Sequence, residues 1–138
     1  MAIEFQGLNN LIERLDNIAD MDKLNEALGK ACTIVEREAK IKAPKVNGEL
    51  RRSISSRVEN GVGVVFTPLL YAPYVEYGTG LFAEGGNGRK DVPWTYRDEK
   101  TGEWVVTSGI HPQPYLRPAL DENREAILQI IKEGISND

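Results

Sequence analysis

The chain has 138 residues, a length at which one hydrophobic core can form without help from metals or disulfides. Its 41% apolar and 28% charged residues are typical of a globular domain, and no apolar run reaches the roughly 18 residues that span a bilayer. The net charge of −4 disfavours a dedicated nucleic-acid-binding protein, and the single cysteine excludes an internal disulfide. No signal peptide is expected at the N-terminus, which predicts synthesis in the cytosol.

The first part of the chain is predicted to be helical. Residues 3–6 alternate and are compatible with a short strand, and apolar residues recur at helical spacing over 8–18. A second helix is predicted to start after Asp20 or Asp22 and to end near Ala43, because a proline follows. Its apolar stripe comprises Leu24, Ala27, Leu28, Ala31, Ile34 and Val35, with Cys32 beside it as a core or boundary residue and not a nucleophile.

A β-hairpin is the clearest local prediction. Asn47 is expected to cap one helical turn at 48–51, and a strand of alternating residues follows over 53–59. Asn60 and Gly61 are the preferred pair for a two-residue type I′ turn, and Pro68 ends the second strand. Pro73 is then predicted to open a short helix over 74–77, which Gly78 caps with a left-handed exit.

The C-terminal half is predicted to contain a flexible loop over about 79–92 and a projecting hairpin over about 93–108. In this hairpin Trp94 and Tyr96 are expected to face Trp104 and Val106. One final helix is predicted to begin at Pro118 and to bury Leu120, Ile127, Ile130 and Ile131. The predicted fold is α+β: one domain over 1–138, with two N-terminal helices, a small antiparallel sheet, the projecting hairpin and a C-terminal helix.

The sequence offers little for catalysis. The only histidine, His111, cannot form a zinc site alone, and we expect it to pack in a proline-rich turn although Ser108 is close. Glu76 lies between two tyrosines, where it is either a general acid or, more commonly, a hydrogen-bond acceptor or the partner of an arginine. The glycine-rich run "GGNGRK" lacks the spacing and the following helix of a phosphate-binding loop. We therefore predict no catalytic residue, no cofactor and no metal.

Charge is unevenly distributed along the chain. Seven basic residues and two acidic ones lie between Arg37 and Arg57, whereas the last helix carries five acidic residues and two basic ones. This uneven distribution of charge suits copies that bind head to tail, and it is also typical of an ordinary solvated surface. The basic residues of the first segment are Arg37, Lys40, Lys42, Lys45, Arg51, Arg52 and Arg57, and the acids of the last helix are Asp121, Glu122, Glu125, Glu133 and Asp138.

Three motifs occur in a fixed order: "APKVNGELRRSI" at 43–54, "YAPYVEYGTG" at 71–80 and "HPQPYLRPAL" at 111–120. Together they resemble the small tail-component proteins encoded in the head–tail joining gene cluster of long-tailed, siphovirus-type bacteriophages and prophages. The resemblance runs over essentially the whole chain. Asn47 replaces the threonine usual in that family, and Tyr115 replaces a phenylalanine; both changes keep the capping or aromatic character of the position.

The resemblance implies a structural virion protein and not an enzyme. It implies a ring-forming connector at the neck or tail end, with copies of itself, the tail tube and head-completion or portal-side proteins as partners. DNA would pass through the ring without sequence-specific binding, and neither a membrane nor a small-molecule substrate is expected. A tail terminator ring is a closely related alternative role. Two alternatives from other classes of protein are a nucleic-acid-binding module using 37–57 and a small hydrolase around Glu76, His111 and Ser108.

The motif residues are expected to have structural or interface roles. The tyrosines of the second motif should pack the short helix onto the sheet, the start of the last helix should anchor against the same region, and Glu76 should pair with Arg51, Arg52 or Arg117. The full predicted set is Asn47, Gly48, Leu50, Arg51, Ser53, Tyr71, Tyr74, Val75, Glu76, Tyr77, Gly78, Thr79, Pro114, Tyr115, Leu116, Arg117 and Pro118.

Overall fold

A computed structural model of the chain describes residues 1–4, 18–45 and 48–136. Contacts divide the chain into two compact units. Unit 1 comprises Met1–Leu69 and Tyr115–Asp138, and unit 2 comprises Leu70–Pro114. Helices and small antiparallel sheets both occur, which confirms the predicted α+β class. Whether the two units constitute a single domain stays a prediction.

Unit 1 is built around one long helix, α1, which spans Ile18–Lys42. It ends where the sequence predicts, because Pro44 cannot continue it, and the Ala43 N–H still donates to the Ala39 carbonyl at 2.9 Å. The predicted helix over 8–18 lies largely outside the described residues. The buried members of the predicted stripe are Leu24, Ala27, Leu28, Ala31 and Val35, whereas Ile34 is only half-buried. Ala39 is also buried and extends the stripe by one turn.

A three-stranded antiparallel sheet packs against α1 within unit 1. Its strands are β1 (Ala2–Glu4), β2 (Ser55–Glu59) and β3 (Val62–Phe66), in the order β1-β3-β2. Asn60 and Gly61 have φ values of 49° and 80°, and Glu59 lies opposite Val62. Both positive φ values are what a type I′ turn requires, so the predicted two-residue hairpin is confirmed.

The short helix α2 spans Glu49–Ser53, and its N-cap position is Gly48. The prediction of Asn47 as the cap is therefore wrong by one residue, and Asn47 itself lies outside the described part of the chain. Gly48 has φ of 73°, a left-handed conformation that glycine adopts at little cost, and among the described residues no side chain caps the helix.

The C-terminal segment forms two helices, α4 (Leu116–Asp121) and α5 (Arg124–Ser136), where one was predicted. Asn123 explains the interruption: its side-chain amide donates to the Ala119 carbonyl at 2.7 Å, and its own carbonyl accepts from the Ile127 N–H at 2.9 Å. A side chain that bonds the preceding turn competes with the regular helical ladder. The first of these helices starts before Pro118, which lies in its opening turn. N–H groups in the opening turn have no partner within the helix, so the N–H that proline lacks costs no hydrogen bond.

Two helical glycines of unit 1 provide a matched test of packing between α1 and α5. A methyl group at Gly134 would lie 2.7 Å from the Ala27 Cβ, whereas at Gly29 it would meet nothing within 4 Å. We expect Gly134→Ala to cost about 1 kcal/mol through overpacking, and Gly29→Ala to gain about 0.5–1 kcal/mol from helix propensity. Urea unfolding followed by circular dichroism measures both, and equal effects of the two changes would contradict the close α1–α5 crossing.

Unit 2 contains a six-residue helix, α3 (Ala72–Tyr77), and a two-stranded hairpin of β4 (Trp94–Arg97) and β5 (Trp104–Thr107). Between them lie two single-turn 3-10 helices, Gly80–Phe82 and Glu84–Gly86, in the segment predicted to be a flexible loop. The Leu81 N–H donates to the Ser108 carbonyl at 2.8 Å, so the start of this segment is tied to the end of the hairpin. The first half of this segment therefore contains 3-10 turns, and its flexibility stays a prediction.

The hairpin of unit 2 has a different register from the one predicted. Tyr96 lies opposite Val105 and Arg97 opposite Trp104, so Trp94 and Tyr96 occupy one face while Trp104 and Val106 occupy the other. The turn sets this register: the Asp98 N–H donates to the Glu103 carbonyl at 2.8 Å, and the Gly102 N–H donates back to the Asp98 carbonyl at 2.7 Å. A shift of one residue at the turn moves every side chain to the opposite face.

Candidate assembly surface

Helix α3 buries its small and acidic side chains and exposes its tyrosines. Ala72 and Glu76 are one helical turn apart and are both fully buried. The tyrosines recur at every third position and therefore share the other side of the helix, where Tyr74 is 59% exposed and Tyr71 and Tyr77 are also exposed. The packing of these tyrosines onto the sheet stays a prediction.

Glu76 is the only fully buried acidic side chain among the described residues. It has a polar partner, as burial of a carboxylate in a protein requires. The predicted pairing with an arginine stays a prediction. What the structure establishes is that this carboxylate, placed on the buried side of α3, belongs to the interior of the folded chain and not to an open pocket.

The end of α3 is a tightly built turn. Gly78 has φ of 79° and ψ of 175°, so the predicted positive φ is confirmed, but in an extended form that essentially only glycine adopts. A Cβ there would lie 2.8 Å from the Ile110 carbonyl oxygen. Thr79 forms two hydrogen bonds with Ile110: its N–H donates to the Ile110 carbonyl at 2.9 Å, and its Oγ1 accepts from the Ile110 N–H at 2.9 Å.

The segment that opens the third motif runs beside this turn within unit 2. The Gln113 N–H donates to the Val75 carbonyl at 2.8 Å, and the His111 ring stacks on Phe82 with 3.8 Å between ring centroids. The structure thus brings together the second motif and the residues up to Pro114, which is exposed. Tyr115 and Leu116, both fully buried, belong to unit 1, as do the half-buried Arg117 and Pro118.

Two glycines of unit 2 make close backbone contacts. A Cβ at Gly88 would collide with the Gly80 carbonyl, and one at Gly109 would collide with the Thr79 carbonyl. Arg89, which the phosphate-binding hypothesis would need, instead lies over the Trp94 ring at 4.9 Å. Gly88 is closely packed and Arg89 makes a cation–π contact, so the end of the run is part of the fold of unit 2, whereas a Cβ at Gly86 would meet nothing within 4 Å.

The hydrolase hypothesis gains no support from these positions. His111 packs on the Phe82 ring, the Ser108 carbonyl accepts a backbone hydrogen bond, and Glu76 is buried. Within residues 1–4, 18–45 and 48–136 no three histidine, cysteine, aspartate or glutamate side chains could together hold a metal ion. Cys32 is buried, which confirms its prediction as a core residue, and this burial raises the pKa of its thiol to about 11.

Unit 2 exposes large apolar side chains. On one face of its hairpin Trp104 is 71% exposed and Val106 is 67% exposed. Three other large apolar residues of this unit are exposed and were not predicted to be: Leu70, Leu81 and Ile110. The signal for them in the sequence is an isolated large apolar residue in a polar or proline-rich segment. Neighbouring exposed apolar side chains, such as Trp104 and Val106 on one face of the hairpin, mark surfaces that other macromolecules cover. We call Tyr74, Leu81, Trp104, Val106 and Ile110 the exposed apolar set.

The first motif has a structural role in unit 1. Leu50 is buried, and the Ser53 hydroxyl donates to its carbonyl at 2.6 Å. The same hydroxyl lies 2.6 Å from Thr67 Oγ1, which is itself buried, so this contact joins α2 to the end of β3. Arg51 is half-buried and lies at the surface of the same helix.

The charged segments of unit 1 partly neutralise each other within one chain. Lys42 and Glu122 form an ion pair at 2.7 Å that joins the end of α1 to the end of α4. Lys40 pairs with Glu36 at 3.5 Å, and Arg124 pairs with Asp121 at 3.0 Å. Part of each segment is therefore already paired within one chain, and head-to-tail binding between copies stays a prediction.

Comparison with known families agrees with the motifs. Residues 9–78, just over half of the chain, match the family described as "Bacteriophage HK97-gp10, putative tail-component". The chain belongs to this family of phage tail components. No curated protein and no solved structure shows significant similarity to it. The match contains the first motif and the second as far as Gly78, and none of the helices in the described part of the chain has the length and apolarity to cross a bilayer.

Proposed function

We propose that this tail component is a ring-forming connector at the head–tail interface of the virion, in a neck or tail-completion position. Its partners are copies of itself, the tail tube, and the head-completion or portal-side proteins, and DNA passes through the ring without sequence-specific contacts. The observation that carries the proposal is the exposed apolar set of unit 2. A single chain gains nothing by keeping Trp104 in water, whereas burial of such a side chain in an interface contributes strongly to binding.

Symmetry supports the ring. Phage tails are rotationally symmetric, and a small subunit that contacts copies of itself through two different patches generates a ring when the rotation closes. The projecting hairpin is suited to such a contact. Its polar turn lies at the tip, and its exposed tryptophan and valine lie on one face of the strands next to the turn.

Particle assembly tests the proposal. The change Trp104→Ser with Val106→Ser removes two exposed apolar side chains, so we expect a folded chain that no longer forms rings and leaves tails unjoined to heads. Glu99→Ser, an exposed change at the tip of the same hairpin, is the control and should assemble normally. Native mass spectrometry of the purified protein reports rings, and electron microscopy of complemented phage lysates reports joined particles.

The position of the chain in a map of the intact virion separates the related roles. Density between the filled head and the tail tube supports the connector. Density at the end of finished tails that lack heads would assign the chain to a tail terminator instead, and absence from the particle would refute the proposal.

A further inference from the structure

An open depression of about 280 Å³ lies on unit 1 where α1 meets α2. None of its lining residues is in the exposed apolar set, whose members belong to unit 2. Five of its residues come from successive turns of α1, and α2 contributes one arginine. The lining residues are Thr33, Glu36, Arg37, Lys40, Ile41 and Arg51.

The depression has an excess of positive charge. Three cationic side chains line it, and the one carboxylate, Glu36, is already shared with Lys40 at 3.5 Å. The Arg51 Nε atom is buried and has no hydrogen-bond partner among the described residues. A buried guanidinium N–H without an acceptor is costly, and carboxylates are the acceptors that arginine binds best. With three cationic side chains against one carboxylate, the lining of the depression is complementary to an added anion.

An exposed apolar residue accompanies these cations. Ile41 is 62% exposed and lies one helical turn after Arg37, so the two side chains share one face of α1. A nucleic-acid backbone offers phosphate but no aliphatic side chain, whereas a protein surface offers both a carboxylate and an apolar group. The combination favours a protein as the occupant.

The outer face of α5 has the complementary pair. Leu128 is 46% exposed, and Glu125 lies three residues before it on the same side of the helix. The other described acids near it are engaged: Asp121 and Glu122 form ion pairs, and Glu133 accepts from the Gln129 amide at 2.8 Å. Glu125 is exposed and makes no ion pair with the described residues, so it is available to a second chain.

We infer that the depression on one copy binds Glu125 and Leu128 of α5 on a second copy, and that this contact propagates the ring. The inference rests on the proposed ring and names one of its interfaces. Arg37 and Arg51 bind the carboxylate, and Ile41 packs against Leu128. Because the two patches are different surfaces of the same chain, the contact is head to tail, as a closed ring requires.

Charge reversal in the full-length protein tests this contact. Arg37→Glu and Glu125→Arg should each weaken ring formation about tenfold or more, as loss of a close interfacial charge pair does, and the double variant should restore rings because it reverses the same pair. A structural role of either residue alone would not produce that rescue. Lys30→Glu reverses a positive charge at an exposed position of α1 outside the depression. It is the control and should form normal rings. Native mass spectrometry and sedimentation velocity measure the oligomers.

The alternative outcomes separate this inference from the proposed function. If wild-type rings form and both single variants keep them, this interface is refuted while the connector remains. If the wild-type chain forms no oligomer, both are refuted. If Arg37→Glu leaves rings intact but removes salt-dependent binding to a short DNA duplex, the depression binds phosphate and the inferred contact is refuted.

Discussion

Replacing Tyr115 by alanine is expected to lower the free energy of unfolding by about 3–5 kcal/mol, as truncation of a fully buried aromatic residue does. Tyr115 is the largest side chain in the described part of the chain that is completely removed from solvent. It directly precedes α4, whose first residue, Leu116, is also fully buried. The loss would be a large part of the total stability of a domain of this size, so partial unfolding at 37 °C is expected.

Two further tyrosine variants show whether burial is the cause. Tyr115→Phe keeps the ring and removes only the hydroxyl, so it should cost about 1 kcal/mol. Tyr74→Ala removes the same ring from a site that is mostly exposed, and should change stability by less than about 0.5 kcal/mol. Urea unfolding followed by circular dichroism gives all three values. Equal losses for Tyr115→Ala and Tyr74→Ala would show that burial of Tyr115 does not stabilise the fold.

Substitution of Glu76 is expected to have the next largest effect. Its carboxylate is fully buried and has a polar partner, so Glu76→Ala leaves that partner unsatisfied and should cost about 3–5 kcal/mol. Glu76→Gln keeps the shape and one acceptor oxygen but removes the charge, and should cost about 1–3 kcal/mol. Thermal unfolding and the yield of assembled particles are the measurements.

Glu99→Gln is the matched control, because this glutamate is exposed at the tip of the hairpin and the same chemical change there should have no measurable effect. Thermal stability and particle assembly that are both unchanged in Glu76→Gln would show that the charge of Glu76 has no structural role.

Features that depend on neighbours along the chain could be predicted from the sequence. The type I′ turn at Asn60 and Gly61, the end of α1 before Pro44 and the buried face of α1 are set by backbone preferences and by a 3.6-residue period. The family could also be recognised from motifs at fixed positions, and the match over residues 9–78 confirms it. None of these features requires knowledge of distant contacts.

The sequence alone could not predict which face of a short element is buried. A helix of six residues such as α3 is too short for periodicity to distinguish exposed tyrosines from buried ones, and burial of Glu76 depends on a polar partner that spacing does not reveal. The register of the second hairpin depends on how the backbone of its turn closes between Asp98 and Glu103. An error of one residue there reverses the faces of Trp104 and Tyr96.

By itself, then, the sequence determined the α+β class, the long helix, the first hairpin and the family, because each follows from local backbone chemistry or from ordered motifs. Only the tertiary structure decided which apolar and charged side chains are available to other molecules. The Lys42–Glu122 pair joins residues far apart in the chain, and the exposure of Trp104 and Glu125 follows from how their elements pack. Such surfaces result from contacts between distant residues, which the order of residues along the chain does not display.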